Sequence, residues 1–394
     1  MDKLFVTRLW LFSFMGVLLL NACTSGHGSL ESLLQTELDE LCKKHNLPGM
    51  TAAFVLENGR IGSVSSGLAD KEYNIPMTPQ SRMLAASIGK TFVAATCVAL
   101  AQKGVLDLDK SISAWLGEYD WFDRLANHDI ITLRQLLSHT SGLPDHVFDE
   151  RFAKAFSEKW NSPTNPFPPD TLIAYILDRE PRHHPGRGWS YSDTGYILVG
   201  LIIEKATGKE FYEVVSNYFI NPLRLGSTSP SDRPDLEGLA SGYLAPDNDF
   251  GLPVKTTHTP GIMTWHPGTE WTGGGFISTS QDLAKWFKFL FSPSSEVNNI
   301  GKEMLNAVPM HNGDSLKSFG LGVFIQKDTP LGTTYGHSGW IPGYRSNVQY
   351  YPEYDMAVSF QINTDFGFQG NPVQVLEEIR VRLAKIVAHI DDKP

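Results

Sequence analysis

Apolar positions along the chain change their period twice, and the changes outline the fold. From Glu31 to Lys44, Leu33, Leu34, Leu38 and Leu41 recur at helical spacing, and Pro48-Gly49 punctuates the end of the run. Met50–Leu56 is a short apolar run closed by Asn58-Gly59. Ile61–Val64 resumes beyond it, which predicts a β-hairpin. Ser87–Lys103 then reads as a helix with Gly104 behind its last periodic residue. Further helices are expected at Leu133–Leu137, Thr171–Leu177, Tyr196–Ala206, Phe211–Phe219 and Asp282–Phe291. After that the period returns to two. Gly320–Gln326, Thr333–His337, Ser346–Tyr351 and Met356–Ile362 read as strands, and Pro372–His389 as a closing helix.

Strands at both ends around a helical middle predict an α+β fold. One antiparallel sheet is assembled from the two chain ends, with flanking helices and a mainly helical subdomain over roughly 87–290. The Pro-rich and polar stretches Asn161–Pro169, Ser227–Pro234 and Ser292–Asn299 read as surface loops, and no internal repeat is present. The expected organisation is a leader at 1–22, a tether at 23–30, one domain at 31–390 and a tail at 391–394. Clefts form where subdomains meet, so functional residues are expected at the seams.

The leader is read from Lys3, Arg8, the nearly unbroken apolar stretch Leu9–Leu20 and the sequence Leu20-Asn21-Ala22-Cys23. The apolar stretch is short for a membrane span. A small residue before a cysteine, with leucine three before it, resembles the lipobox of bacterial lipoproteins. The resemblance implies export, acylation of Cys23 and anchoring to the cell envelope; an ordinary signal peptide with an incidental cysteine is the alternative. Cys42 and Cys97 then remain of the three cysteines, either as one disulfide or, since Cys97 sits in an apolar run, as buried thiols.

Composition narrows the function classes. Over 394 residues, 41% hydrophobic and 19% charged content describe a folded globular protein. The formal charge of −10 with no basic cluster gives no footprint for nucleic acid. No Gly-x-Ser-x-Gly elbow occurs, position 84 is Leu where a phosphate-binding loop needs glycine, and the histidines lack metal-ligand spacing. No metal or other cofactor is expected.

The chemistry is carried by Ser87-Ile88-Gly89-Lys90. A hydroxyl at the start of a predicted helix and an amine three residues on share one face, where the helix N-terminus also offers N–H groups to an oxyanion. Taken alone, the tetrad also reads as an N-capping serine followed by a surface lysine. Two further segments follow in order: Trp189-Ser190-Tyr191-Ser192-Asp193-Thr194-Gly195-Tyr196, then Gly336-His337-Ser338-Gly339 before Pro342-Gly343.

With these three motifs the sequence resembles the serine β-lactamase, DD-peptidase and esterase family, whose signatures are S-x-x-K, Y-x-N and K-T-G or H-x-G. Leu136-Leu137-Ser138-His139-Thr140-Ser141-Gly142-Leu143 and Gly273-Gly274-Gly275-Phe276-Ile277-Ser278-Thr279 match its flanking texture, and the likeness covers about residues 30–390. It implies Ser87 as nucleophile, Lys90 as its proton-transfer partner and Tyr191 as base toward Ser87 and later acid toward the leaving group; the sequence leaves open whether Lys90 or Tyr191 takes the first proton. The backbone N–H groups of Ser87 and Trp340 would form the oxyanion hole. His337, Ser338 and Gly339 would lie on a strand edge beside an extended substrate.

Two departures shape the expected specificity. Asp193 stands where the family commonly has Asn; a carboxylate cannot donate to a substrate carbonyl and is expected to pair with Lys90 instead, which favours Tyr191 as base. His337 replaces lysine and carries only partial charge at neutral pH, so a substrate carboxylate is held less well, with Arg345 as a candidate replacement cation. The resulting expectation is an exported serine hydrolase acting through an acyl-enzyme on a D-amino-acid-containing peptide. A carboxylesterase or weak β-lactamase of the same fold is the alternative, and a catalytically silent muropeptide- or partner-binding protein is the alternative from another class. The expected partners are a small-molecule or peptide substrate and a membrane reached through the lipid anchor.

Overall fold

The computed structural model describes residues 29–160, 164–248, 251–295, 298–311 and 316–388. The leader at 1–22, Cys23 and the tail at 391–394 lie outside the described residues.

The amphipathic run near the start forms helix α1 (Leu30–His45), capped by Ser29, whose side chain accepts from the N–H of Ser32. It is followed by the hairpin of β1 (Gly49–Val55) and β2 (Ile61–Asp70), closed at Gly59 with φ 80°, and by the short edge strand β3 (Ile75–Pro76). The chain leaves the sheet after Pro76 and rejoins it as β4 (Val308–Pro309), β5 (Lys317–Phe319), β6 (Phe324–Thr329), β7 (Gly332–Ile341), β8 (Tyr344–Tyr351) and β9 (Met356–Ile362). The nine strands are ordered β3-β2-β1-β9-β8-β7-β6-β5-β4, antiparallel throughout, with Met50 opposite Ile362 where the two chain ends meet.

Two apolar layers hold this sheet. On one face α1 and α6 (Pro372–Val387) bury Leu34, Leu38, Leu41, Ile379 and Leu383 against Phe54, Val358 and Phe360. On the other, α5 (Ser280–Phe291) buries Leu283, Trp286, Phe287 and Leu290, each worth about 1.5–3 kcal/mol of transfer free energy. This second layer continues without a break into the helical part, through α2 (Gly89–Gln102), α3 (Leu133–Leu137) and α4 (Asp193–Thr207). Cys42 lies in the first layer and Cys97 in the second; both are buried free thiols.

One expected strand is divided. Gly320–Val323 is the turn between β5 and β6, with Phe319 opposite Phe324. Gly322 adopts φ 69°, and a methyl there would lie 2.9 Å from both the Lys90 carbonyl oxygen and Ala94 Cβ. The turn is thereby seated directly on α2. The helix expected from Ser87 also starts differently, with a 3-10 turn at Ala86–Ile88 ahead of α2.

Candidate active site

Ser87 sits on that 3-10 turn, at the junction between sheet and helices. Ala86 before it has φ 49°, a left-handed backbone that costs a non-glycine residue roughly 1 kcal/mol. Neighbours hold it there: the Ala85 N–H donates to Phe276 O at 2.8 Å, and Ser346 Oγ donates to Ala85 O at 2.7 Å. Glycines allow the close approach. A methyl on Gly89 would come within 2.8 Å of Gly274, and one on Gly274 within 2.9 Å of the Ser87 nitrogen.

Lys90 is wholly buried beneath Ser87, which is half-buried. Its ammonium donates to Ser87 Oγ at 3.2 Å, to the Asp193 carboxylate and to the Gly273 carbonyl. Tyr191 stands beside the same group, with Lys90 Nζ 5.1 Å from the centre of its ring. Asp193 and Tyr191 reach this point because Ser192 caps α4: its Oγ accepts from the Gly195 N–H at 3.2 Å and donates to Pro144 O at 2.9 Å.

The electrostatics follow from this burial. Desolvation opposes the charge on Lys90, but Asp193 and Tyr191 outweigh it and hold the ammonium above its usual range. Burial pushes the Tyr191 phenol up to about 12 against the pull of Lys90, with Asp193 adding to the rise. The resting site is therefore a lysine cation, an aspartate anion and a neutral tyrosine.

The third motif lies on β7. Its ladder with β6 reaches Gly336, beyond which β7 continues paired to β8 as far as Ile341. A methyl on Gly339 would lie 2.4 Å from Ala85 O, so Gly339 faces the Ser87 turn. Alternation puts the His337 side chain on that same face. Those of Ser338 and Trp340, and of Arg345 opposite Trp340, point to the other.

Arg345 therefore does not join the cluster. Its guanidinium lies 5.5 Å from the centre of the Trp340 ring, whose Nε1 donates to Asp365 at 3.1 Å. His337 does join it, but without charge: burial, then Lys90, pulls the imidazole down to about 3. Its Nδ1–H donates to Ser338 O at 2.7 Å, and Nε2 has no hydrogen-bond partner among the described residues.

The structure adds residues that the motifs did not single out. Asp145 Oδ2 accepts from the Asp193 N–H at 3.0 Å, and burial followed by the Asp193 charge pushes this carboxyl up to about 7. Burial pushes Glu270 to about 8, and its Oε2 has no partner among the described residues. Gly273 contributes its carbonyl to Lys90, and the His139 ring packs at a tilt against that of Tyr191. Only the glycine run and the Leu136–Leu143 segment signalled any of this in the sequence. Among the described residues no group of three or more His, Cys, Asp or Glu is disposed to hold a metal ion.

Comparison with known proteins agrees with the geometry. Penicillin-binding protein 4* of Bacillus subtilis (strain 168) is 26% identical over 341 residues, covering 84% of this chain and 71% of that protein. Protein flp of Staphylococcus aureus (strain NCTC 8325 / PS 47) is 23% identical over 338 residues; the match covers 84% of this chain but 63% of that protein, less than two thirds of its length. Among solved structures, a D-stereospecific amidohydrolase from Streptomyces sp. superposes with a TM-score of 0.73 at 26% identity, covering 88% of this chain and 97% of that one. The D-amino acid amidase of Ochrobactrum anthropi SV3, complexed with L-phenylalanine amide, gives 0.73 at 25%, covering 92% and 99%. A family model described as Beta-lactamase matches residues 32–377. On that span, the chain belongs to the β-lactamase family and is a serine hydrolase of its fold.

Proposed function

We propose that the protein hydrolyses an amide or peptide of a D-amino acid through an acyl-enzyme on Ser87. The observation that carries this reading is the single ammonium of Lys90, hydrogen-bonded at once to Ser87 and Asp193 and 5.1 Å from the centre of the Tyr191 ring. With Lys90 held as a cation, Tyr191 is the base: its scarce phenolate takes the Ser87 proton as Oγ bonds to the substrate carbonyl carbon. The oxyanion so formed is stabilised by the backbone N–H groups of Ser87 and Trp340. Tyr191 then returns the proton to the leaving amine as the C–N bond breaks. Water, deprotonated by the same phenolate, attacks the ester carbonyl carbon, and Ser87 leaves with that proton.

The substrate class is supported by the two amidohydrolase neighbours and by the site's charge. A neutral His337 and the anionic Asp193 do not favour the carboxylate of a β-lactam. The test is a panel of a D-amino-acid amide, its L-enantiomer, a short p-nitrophenyl ester and a chromogenic cephalosporin. The D-amide is expected to give the highest kcat/KM among the amides and lactams, with Ser87→Ala losing turnover and fluorophosphonate labelling. A faster cephalosporin, or full activity in Ser87→Ala, would overturn the reading. The reading extends to an exported protein held to the cell envelope by Cys23, on the strength of Leu20-Asn21-Ala22-Cys23. Metabolic fatty-acid labelling should then mark wild type and not Cys23→Ala.

A further inference from the structure

We propose that His139 is a positioning residue for Tyr191, holding the tyrosine from both flanking peptides and across its ring. The proposal rests on the reading of Tyr191 as the base for Ser87.

His139 follows α3 directly, one residue beyond the Ser138 cap, with φ 57°. A helix end of this kind favours glycine or asparagine, and a histidine there costs roughly 1 kcal/mol. The strain sets both ends of the residue against one segment. The His139 carbonyl accepts from the Ser190 N–H at 2.9 Å, and its Nδ1 accepts from the Ser192 N–H at 3.2 Å. Tyr191 lies between those two peptides, so its backbone is bracketed on both sides by one residue.

The ring completes the clamp. Its centre lies 4.1 Å from that of Tyr191 with the planes 32° apart, and Tyr196, Phe319 and Trp189 close round it at 5.2, 4.9 and 6.0 Å. His139 is buried, with 1% of the residue's surface exposed. Since Nδ1 accepts a hydrogen bond, the proton of the neutral ring is on Nε2, and burial together with the Lys90 charge keeps a second proton away. Tyr191 must present its oxygen to Ser87 and Lys90 together, so a shift of about 1 Å in its ring costs on the order of 100-fold in rate.

The test is a double-mutant cycle on full-length protein, with His139→Leu and His139→Asn each made in wild type and in Tyr191→Phe. Burst kinetics with a p-nitrophenyl ester give the acylation rate and KM, and thermal melting reports folding. Asparagine tolerates the left-handed backbone, and its Oδ1 stands as many bonds from Cα as the histidine Nδ1. His139→Leu is expected to slow acylation by about tenfold or more with KM within about twofold, His139→Asn to recover most of the rate, and neither to act further in Tyr191→Phe. Should His139→Leu fail to fold, His139→Asn carries the cycle alone, with a slowing of about threefold expected only where Tyr191 is intact. A folded His139→Leu with an unchanged rate overturns the proposal, as does equal slowing in both backgrounds. A Tyr191→Phe enzyme with full activity overturns the reading of Tyr191 instead, so the two failures are told apart.

Discussion

The buried ammonium of Lys90 is tied to the carboxylate of Asp193, the last residue of the Tyr191-Ser192-Asp193 motif. The pair fixes the resting protonation of the site. Asp193→Asn should remove the negative charge that helps hold the Tyr191 phenol up at about 12, and so move the alkaline rise of acylation to lower pH. The rate at pH 8 should increase by up to about tenfold. The same change deprives a buried cation of its counter-charge, so chemical denaturation should show a loss of about 2–4 kcal/mol. An unchanged pH profile in a destabilised variant would separate the pair from the base.

Glu270 gives a pH signature in stability. Its folded carboxyl titrates at about 8 against an ordinary value of 4.5, so the native state binds this proton more tightly than the unfolded chain. The contribution is fully present below about 4.5 and is lost as pH rises through 8. Glu270→Gln should therefore melt with wild type near pH 4.5 and about 2–5 °C above it at pH 8.5. A constant difference across that range would mean that Glu270 does not titrate in the fold.

His337 is expected not to charge between pH 5 and 8, because burial has pulled it down to about 3. KM for a penicillin should accordingly show no improvement on acidification from pH 8 to pH 5. Penicillin acylation in wild type should be slower than in the His337→Lys, Asp193→Asn double variant, by about tenfold or more. A wild type as fast as the double variant would reassign the enzyme as a β-lactamase.

Gly339 tests the seam between sheet and nucleophile. A methyl there would lie 2.2 Å from Ser346 Oγ and 2.4 Å from Ala85 O, so Gly339→Ala should push β7 away from the Ser87 turn. Fluorophosphonate labelling should fall by about tenfold, with a stability loss of about 1–3 kcal/mol. Gly226→Ala, at a position with nothing within 4 Å, serves as the control and should leave both unchanged.

Much of the architecture was legible in the sequence because it depends on neighbours in the chain. Asn58-Gly59 between apolar runs predicted the β1–β2 hairpin, and the leucine spacing after Glu31 predicted α1. The family resemblance carried by Ser87–Lys90, Tyr191–Asp193 and His337–Gly339 implies that Lys90 pairs with Asp193, and the two are bonded. Period alone could not divide Gly320–Gln326, since its apolar residues belong to a turn seated on α2. Nor could alternation say which face of β7 meets Ser87, and that choice turns Arg345 away and His337 inward. The remaining properties of the site are effects of burial. Desolvation by residues far along the chain neutralises His337, raises Tyr191 and Glu270, and encloses His139 against Tyr191; such a field exists only once the two ends of the chain have closed on the helices between them.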